Sequence, residues 1–151
     1  NAFLFYPLTK KVDFFFFFWA TFTEPEISRV GLTEAEAIEK YGEKVKVFKT
    51  DFTDNDRAQA ENETVGFAKI ITLKGKKIVG ATIIGGHAGE LIHEFVLAMR
   101  HNLTLADLNK AIHVYPTFSK ITQALFTEQT LETLKSPLVQ KWFARYLKFW
   151  R

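Results

Sequence analysis

Two apolar runs, residues 65–73 and 77–84, are separated only by Lys74-Gly75-Lys76, and this spacing predicts a β-hairpin. An antiparallel sheet is its natural consequence. Residues 44–48 alternate apolar and polar positions as a further strand should. After Gly85-Gly86 the period changes. Leu91, Ile92, Phe95, Val96 and Met99 fall on one helical face, which predicts an amphipathic helix over residues 90–100, ending near Asn102. Thr33 followed by Glu36 forms a capping box and Gly42 stands just past Tyr41, so residues 34–41 read as a short helix with both ends marked. Thr104 with Asp107 caps another short helix, Pro116-Thr117 opens a third, and Ser136-Pro137 gives a fourth its N-cap serine and first-turn proline. Residues 51–62 are polar and turn-rich. Strands precede helices, which argues an α+β fold, an antiparallel sheet with helices packed on it, rather than an alternating parallel one.

Phenylalanines fill positions 14–18 and Trp19 follows, with no period at all. A short continuous apolar run fits a strand buried on both faces or a surface between domains. Exposed, it would be an aggregation hazard.

Length and composition narrow the class. The 151 residues suit one compact domain, and 47% hydrophobic with 25% charged residues is the balance of a chain that folds. A net charge of +3 is too mild to indicate nucleic acid as a partner, and none is expected. The absence of cysteine excludes a disulfide framework, a thiolate metal centre and a CxxC redox pair within these residues. No stretch approaches the roughly 18 apolar residues of a membrane span. The first residues show neither the basic region nor the cleavage site of a signal peptide, and the expected location is cytoplasmic.

Three segments carry residues with candidate chemistry. Gly85-Gly86-His87-Ala88-Gly89 lies between a strand and a helix, where a phosphate loop would lie, but lacks G-x-G-x-x-G spacing and reads as a tight turn. Glu90 and His93 form an E-x-x-H half-motif with no second pair, and Leu97 stands where H-E-x-x-H needs its second histidine, so no metal site is expected. The segment from His113 through Tyr115, Pro116 and Thr117 to Lys120 places two proton-carrying side chains just before a turn. Spacing alone favours a satisfied loop histidine and a packed tyrosine. Finally, Leu138, Trp142, Tyr146 and Phe149 form one helical stripe, opposite Lys141, Arg145 and Lys148. Such a helix suits either a core-packed terminus or an interface with a membrane or an acidic partner.

Five colinear segments together resemble one family: residues 21–33 (TFTEPEISRVGLT), 54–58 (DNDRA), 66–67 with 78–81 (GF, IVGA), 85–94 (GGHAGELIHE) and 112–117 (IHVYPT). They are similar to the C-terminal dimerisation, or interface, domain of the FAD-dependent pyridine nucleotide-disulfide oxidoreductases, most of all the mercuric-reductase-like branch. The resemblance implies a mixed domain that forms most of a homodimer interface. It also implies a longer oxidoreductase in which electrons pass from NAD(P)H through FAD to a disulfide or another acceptor. The FAD and NAD(P) domains are absent here, in keeping with the missing fingerprint and cysteines. Residues 1–18 then read as an apolar lead-in from the FAD domain, 19–135 as the dimerisation domain and 136–151 as a basic aromatic helix.

In the glutathione reductase and lipoamide dehydrogenase branches, a histidine before the Pro-Thr pair reaches into the partner subunit's site as acid/base, held by a glutamate five residues on. Tyr115 and Lys120 stand at those two positions. Tyrosine there resembles the mercuric-reductase-like branch, with His113 as the neighbouring histidine, but the vicinal cysteines of a mercuric reductase proper are missing, which argues against mercuric ion as substrate. The resemblance thus implies Tyr115 and His113 as catalytic residues acting across the dimer, with Pro116 and Thr117 near the partner's flavin. Lys120, expected at N3 of a helix capped by Thr117, would lack the capping-box acid at a small local cost. The chain alone, without cofactor, is expected to be inactive. The other reading is a stand-alone homodimeric module whose residues 138–151 contact a membrane or partner.

Overall fold

The computed structural model describes residues 18–149. Residues 14–17 of the phenylalanine run, the rest of the lead-in, and Trp150 and Arg151 lie outside the described residues. Five antiparallel strands, β1 (Phe18–Thr21), β2 (Glu26–Gly31), β3 (Val45–Asp51), β4 (Phe67–Leu73) and β5 (Lys77–Gly85), form one sheet in the order β1-β2-β5-β4-β3. The predicted hairpin is its centre. Its apolar runs are continuous because both faces are covered, so that neighbouring residues enter different cores.

The larger core takes one row of cross-strand partners, Val30 beside Ala81, Ala81 beside Ile70, and Ile70 beside Phe48. All four are buried, together with Phe95, Leu105, Ile121 and Phe126 from the helices α3 (Ala88–Arg100), α4 (Leu105–Leu108) and α5 (Lys120–Leu134). Ile71 and Val79 face the other way and cover Ala37 of α1 (Glu34–Tyr41). The sheet therefore carries α1 on one face and α3, α4 and α5 on the other. Two further helices complete the chain, α2 (Asp56–Glu61) between β3 and β4, and α6 (Pro137–Phe149) at the end.

Several expectations need correction. Phe18 is not in a strand buried on both faces: it starts the edge strand β1, pairs with Val30, and is 48% exposed. The sheet therefore reaches one residue into the segment assigned to the lead-in. The polar stretch 51–62 contains α2, whose six residues are too few to show a helical period. The helix expected to open at Thr117 starts at Lys120. Thr117 Oγ1 donates to the Val114 carbonyl instead (2.6 Å), and Lys120 is the first helical residue rather than N3. Its ammonium bonds Gln123 Oε1, and α5 begins with this cation and with no acidic residue in its first turn.

Both predicted capping boxes are present. Thr33 and Glu36 exchange backbone-to-side-chain bonds at 2.7 and 3.2 Å, and Thr104 and Asp107 do so at 3.0 and 3.3 Å. The Thr33 amide and hydroxyl hold the Glu36 carboxyl below its ordinary 4.5. The Lys110 ammonium, then the Thr104 hydroxyl and amide, hold Asp107 below its ordinary 3.8. Both depressed carboxyls favour the folded state above their ordinary pKa, and that contribution fades as pH falls through the lowered folded values. Thr104→Ala is expected to cost about 1 kcal/mol in urea unfolding at neutral pH. The variant's stability should also fall less steeply than the parent's below about pH 4.

Candidate functional site

The segment between α4 and α5 is irregular, and its position is set by side chains from distant parts of the chain. Asn55, only 4% exposed, precedes α2. Its Oδ1 accepts from the Ala58 amide at 3.0 Å, capping α2, while its Nδ2 donates to the carbonyls of Thr117 and Phe118, each at 3.3 Å. One carboxamide thus uses both ends. Phe118 packs beside Phe52, ring centroids 6.2 Å apart, and beside His87 at 4.7 Å. Phe52 in turn lies on Gly85, where a Cβ would stand 2.3 Å from its Cε2, so the end of β5 must present bare backbone.

His113 and Tyr115 are held in opposite senses. The His113 side chain is 9% exposed, and its Nε2 lies 3.1 and 3.3 Å from the two carboxylate oxygens of Glu94 on α3. An ionised carboxylate only accepts, so Nε2 carries a proton. Thr122 Oγ1 of α5 completes the group, 2.7 Å from Glu94, 3.2 Å from His113 Nε2 and 2.7 Å from the Ser119 carbonyl. His113 Nδ1 is buried with no partner among the described residues.

Tyr115 points outward and is 65% exposed. It borders an open cleft of about 390 Å³ with Pro116, Thr117, Asp56, Arg57 and Lys120. The Asp56 carboxylate beside the phenol, by side-chain hydrogen bonding first and then by its charge, raises the Tyr115 pKa above the ordinary 10.0. Near neutral pH Tyr115 is therefore a hydrogen-bond donor and not a base.

The profile of one family matches this chain over residues 17–125: the pyridine nucleotide-disulphide oxidoreductase dimerisation domain. The chain belongs to this family. Dihydrolipoyl dehydrogenase 2, chloroplastic, of Arabidopsis thaliana is 42% identical over 125 residues, which are 80% of this chain and 22% of that protein. The Bacillus subtilis dihydrolipoyl dehydrogenase is 43% identical over 102 residues, 67% of this chain and 22% of its own length. Among solved structures, the HOCl-induced flavoprotein disulfide reductase RclA of Escherichia coli superposes with a TM-score of 0.69 at 28% identity, covering 74% of this chain and 26% of that one. LpdA of Mycobacterium tuberculosis shares the fold, with a TM-score of 0.72 at 22% identity, covering 79% of this chain and 26% of that one. The chain spans about a fifth of the length of the curated relatives it matches. These matches do not single out the mercuric-reductase-like branch.

Within this dimerisation domain, the residues singled out from sequence divide between two places. Tyr115, Pro116 and Thr117 share the cleft, whereas His113 turns into its own subunit. Glu94, Thr122, Asn55 and Asp56 were not foreseen as their partners. In the sequence Glu94 stands out only at the end of the 85–94 segment and beside His93 in an incomplete zinc motif, and His93 is exposed, with its ring edge-on to Phe18 at 5.7 Å. Glu90 and His93 belong to no metal-like cluster among the described residues. Glu61, Glu63 and His87 do place ligand atoms within 4.8 Å of one another, but all three are exposed, an unorganised surface group rather than a built ion site.

Asn55→Asp keeps the acceptor for Ala58 but turns two donated bonds into contacts between a carboxylate and carbonyl oxygens. It is expected to lower stability by about 1–3 kcal/mol and to speed amide hydrogen exchange at Lys120 and Ile121, whose N–H groups bond the Thr117 and Phe118 carbonyls. Asp56→Asn removes the charge facing Tyr115. A phenol titration followed by ultraviolet absorbance should then show one tyrosine ionising at lower pH than in the parent protein.

Proposed function

We propose that this chain is the dimerisation portion of a cytoplasmic FAD- and NAD(P)-linked reductase, and that it carries Tyr115 to the flavin site of the opposite subunit of a homodimer. Family membership supports the role in assembly. The observation that carries the site assignment is the outward-facing Tyr115 on a segment clamped from behind by Asn55 and by the Glu94, His113 and Thr122 group. Beside it Ile112 and Val114 are 95% and 73% exposed, an apolar ridge of the kind a subunit interface buries. FAD and NAD(P)H would occupy domains outside this chain and supply hydride transfer and electron storage. This chain contributes the interface and one positioned donor, with Pro116 and Thr117 beside the partner's flavin and His113 as the inward anchor of the segment.

The Asp56 carboxylate keeps the Tyr115 phenol protonated, so the phenol would orient an acceptor by turning its one O–H from Asp56 to it, rather than take the acceptor's proton. Tyrosine at this position favours the mercuric-reductase-like branch within the family. The chain alone is expected to be catalytically silent.

Light scattering over a range of concentrations should return twice the 17.4 kDa chain mass. A monomer at every concentration would contradict self-sufficient dimerisation. In the full-length enzyme, Tyr115→Phe is expected to lower kcat/KM for the acceptor by on the order of 100-fold, with flavin reduction by NAD(P)H unchanged in rapid mixing. An unaltered acceptor step would remove Tyr115 from the site.

A further inference from the structure

The family match ends at residue 125, and α6 lies beyond it. The helix has a defined start: Ser136 Oγ accepts from the Val139 amide at 3.5 Å, and Pro137 occupies the first turn. It meets the rest of the molecule chiefly through α5. Leu138, Trp142, Phe143 and Leu147 are exposed by 81%, 61%, 47% and 60%, far more apolar surface than a core-packed terminal helix would show. Trp142 stacks on Tyr146 with centroids 5.5 Å apart and planes within 13°, and meets Phe143 edge-on at 5.6 Å. The apolar side is thus a continuous aromatic slab. Lys141, Arg145 and Lys148 occupy the other side, exposed and without an ion pair among the described residues. No acidic residue follows Glu132 in the sequence.

From this arrangement we propose that α6 lies in the plane of an anionic lipid surface, with Leu138, Phe143 and Leu147 sunk below the headgroups, Trp142 and Tyr146 at their depth, and Lys141, Arg145 and Lys148 among the lipid phosphates. Charge decides the occupant. A second copy of α6 would cover the aromatic slab but leave Lys141, Arg145 and Lys148 facing water with no acid to meet them, whereas an anionic bilayer takes up both sides of the helix. The rings of Trp142 and Tyr146, each apolar with one polar edge, suit the depth of the headgroups. Thirteen residues rise about 20 Å, short of the ~30 Å hydrocarbon thickness, so the helix lies flat. No helix among the described residues is long and apolar enough to cross a membrane.

The test is co-sedimentation of the full chain with phosphatidylcholine vesicles, with and without about 30% phosphatidylserine, at ~0.1 M and ~0.5 M salt. Binding should require the anionic lipid and weaken at high salt. The triple variant Lys141→Gln, Arg145→Gln, Lys148→Gln should bind roughly 100-fold more weakly, about fivefold per cation. The double variant Trp142→Ser, Leu147→Ser should lose binding at both salt concentrations. Both variants should keep the parent's circular dichroism and molar mass. Absence of sedimentation with either vesicle, or binding indifferent to phosphatidylserine and to the triple variant, overturns the proposal. A fall in molar mass for the double variant also overturns it, assigning the face to a second copy. Dimerisation through the rest of the domain is read separately by the mass of the parent chain.

Discussion

The geometry of the site hangs on the Asn55 carboxamide. A buried amide has one acceptor and two donor hydrogens to satisfy, and here the acceptor caps α2 while the amino group reaches carbonyls 62 and 63 residues away in sequence. Neither aspartate nor serine could do the same. The first lacks donors, and the second lacks the reach and the second hydrogen. Because the bonds go to backbone, the carboxamide fixes the path of residues 117 and 118 rather than the rotamer of one side chain. The aromatic contacts of Phe118 with Phe52, and of Phe52 with the bare face of Gly85, extend that constraint to the end of the central strand β5. The cleft beside Tyr115 is thereby referenced to the rigid part of the sheet, although the residues that line it lie in loops and helix ends.

On the other side of the same segment the anchor is a group of side chains rather than one carboxamide. Glu94 projects from α3, a helix whose Ile92, Phe95, Ala98 and Met99 are buried against the sheet, so its carboxylate is as well placed as the core itself. It engages the Nε2 proton of His113 and the hydroxyl of Thr122 together. With both anchors behind it, the segment leaves Tyr115 outside with little freedom to relocate. Pre-positioning of this kind makes an exposed side chain useful to a partner subunit, since the entropy of ordering it has been met by folding.

How far the sequence disclosed this follows from the range of each interaction. The capping boxes at Thr33 and Thr104 and the hairpin at Lys74-Gly75-Lys76 are local, and their residues announce them. β2 carries no such announcement. Ser28 sits fully buried on its inner side, donating to the Ala88 carbonyl at 2.6 Å, and a polar residue at a core position breaks the alternation that marks a strand. Thr122 does the same to α5, where it lies buried between Ile121 and Leu125 and serves Glu94 rather than the core. Asn55 could be read as a helix cap, but its bonds to Thr117 and Phe118 are visible only once the chain is folded. The colinear motifs disclosed the family and the segment. The partners that orient the segment were hidden because they are polar residues in apolar surroundings, satisfied by distant backbone.

The exchange at the two dyad positions changes the chemistry offered, and the structure shows in which direction. A histidine held by a glutamate can take a proton from a thiol and return it. Here the glutamate's place is taken by Lys120, whose ammonium is turned to Gln123 at the start of α5. The carboxylate that Tyr115 meets comes from the opposite wall of the cleft, from Asp56. Replacing the histidine by tyrosine while leaving the acid in place would have set a phenol against the family's own carboxylate. An acid on α2 instead faces the phenol from the cleft wall and raises its pKa, which keeps it neutral near neutral pH. A neutral phenol with a raised pKa takes up no proton near neutral pH, and this, more than the loss of either residue alone, sets the segment apart from the histidine and glutamate pair that the resemblance implies for other branches.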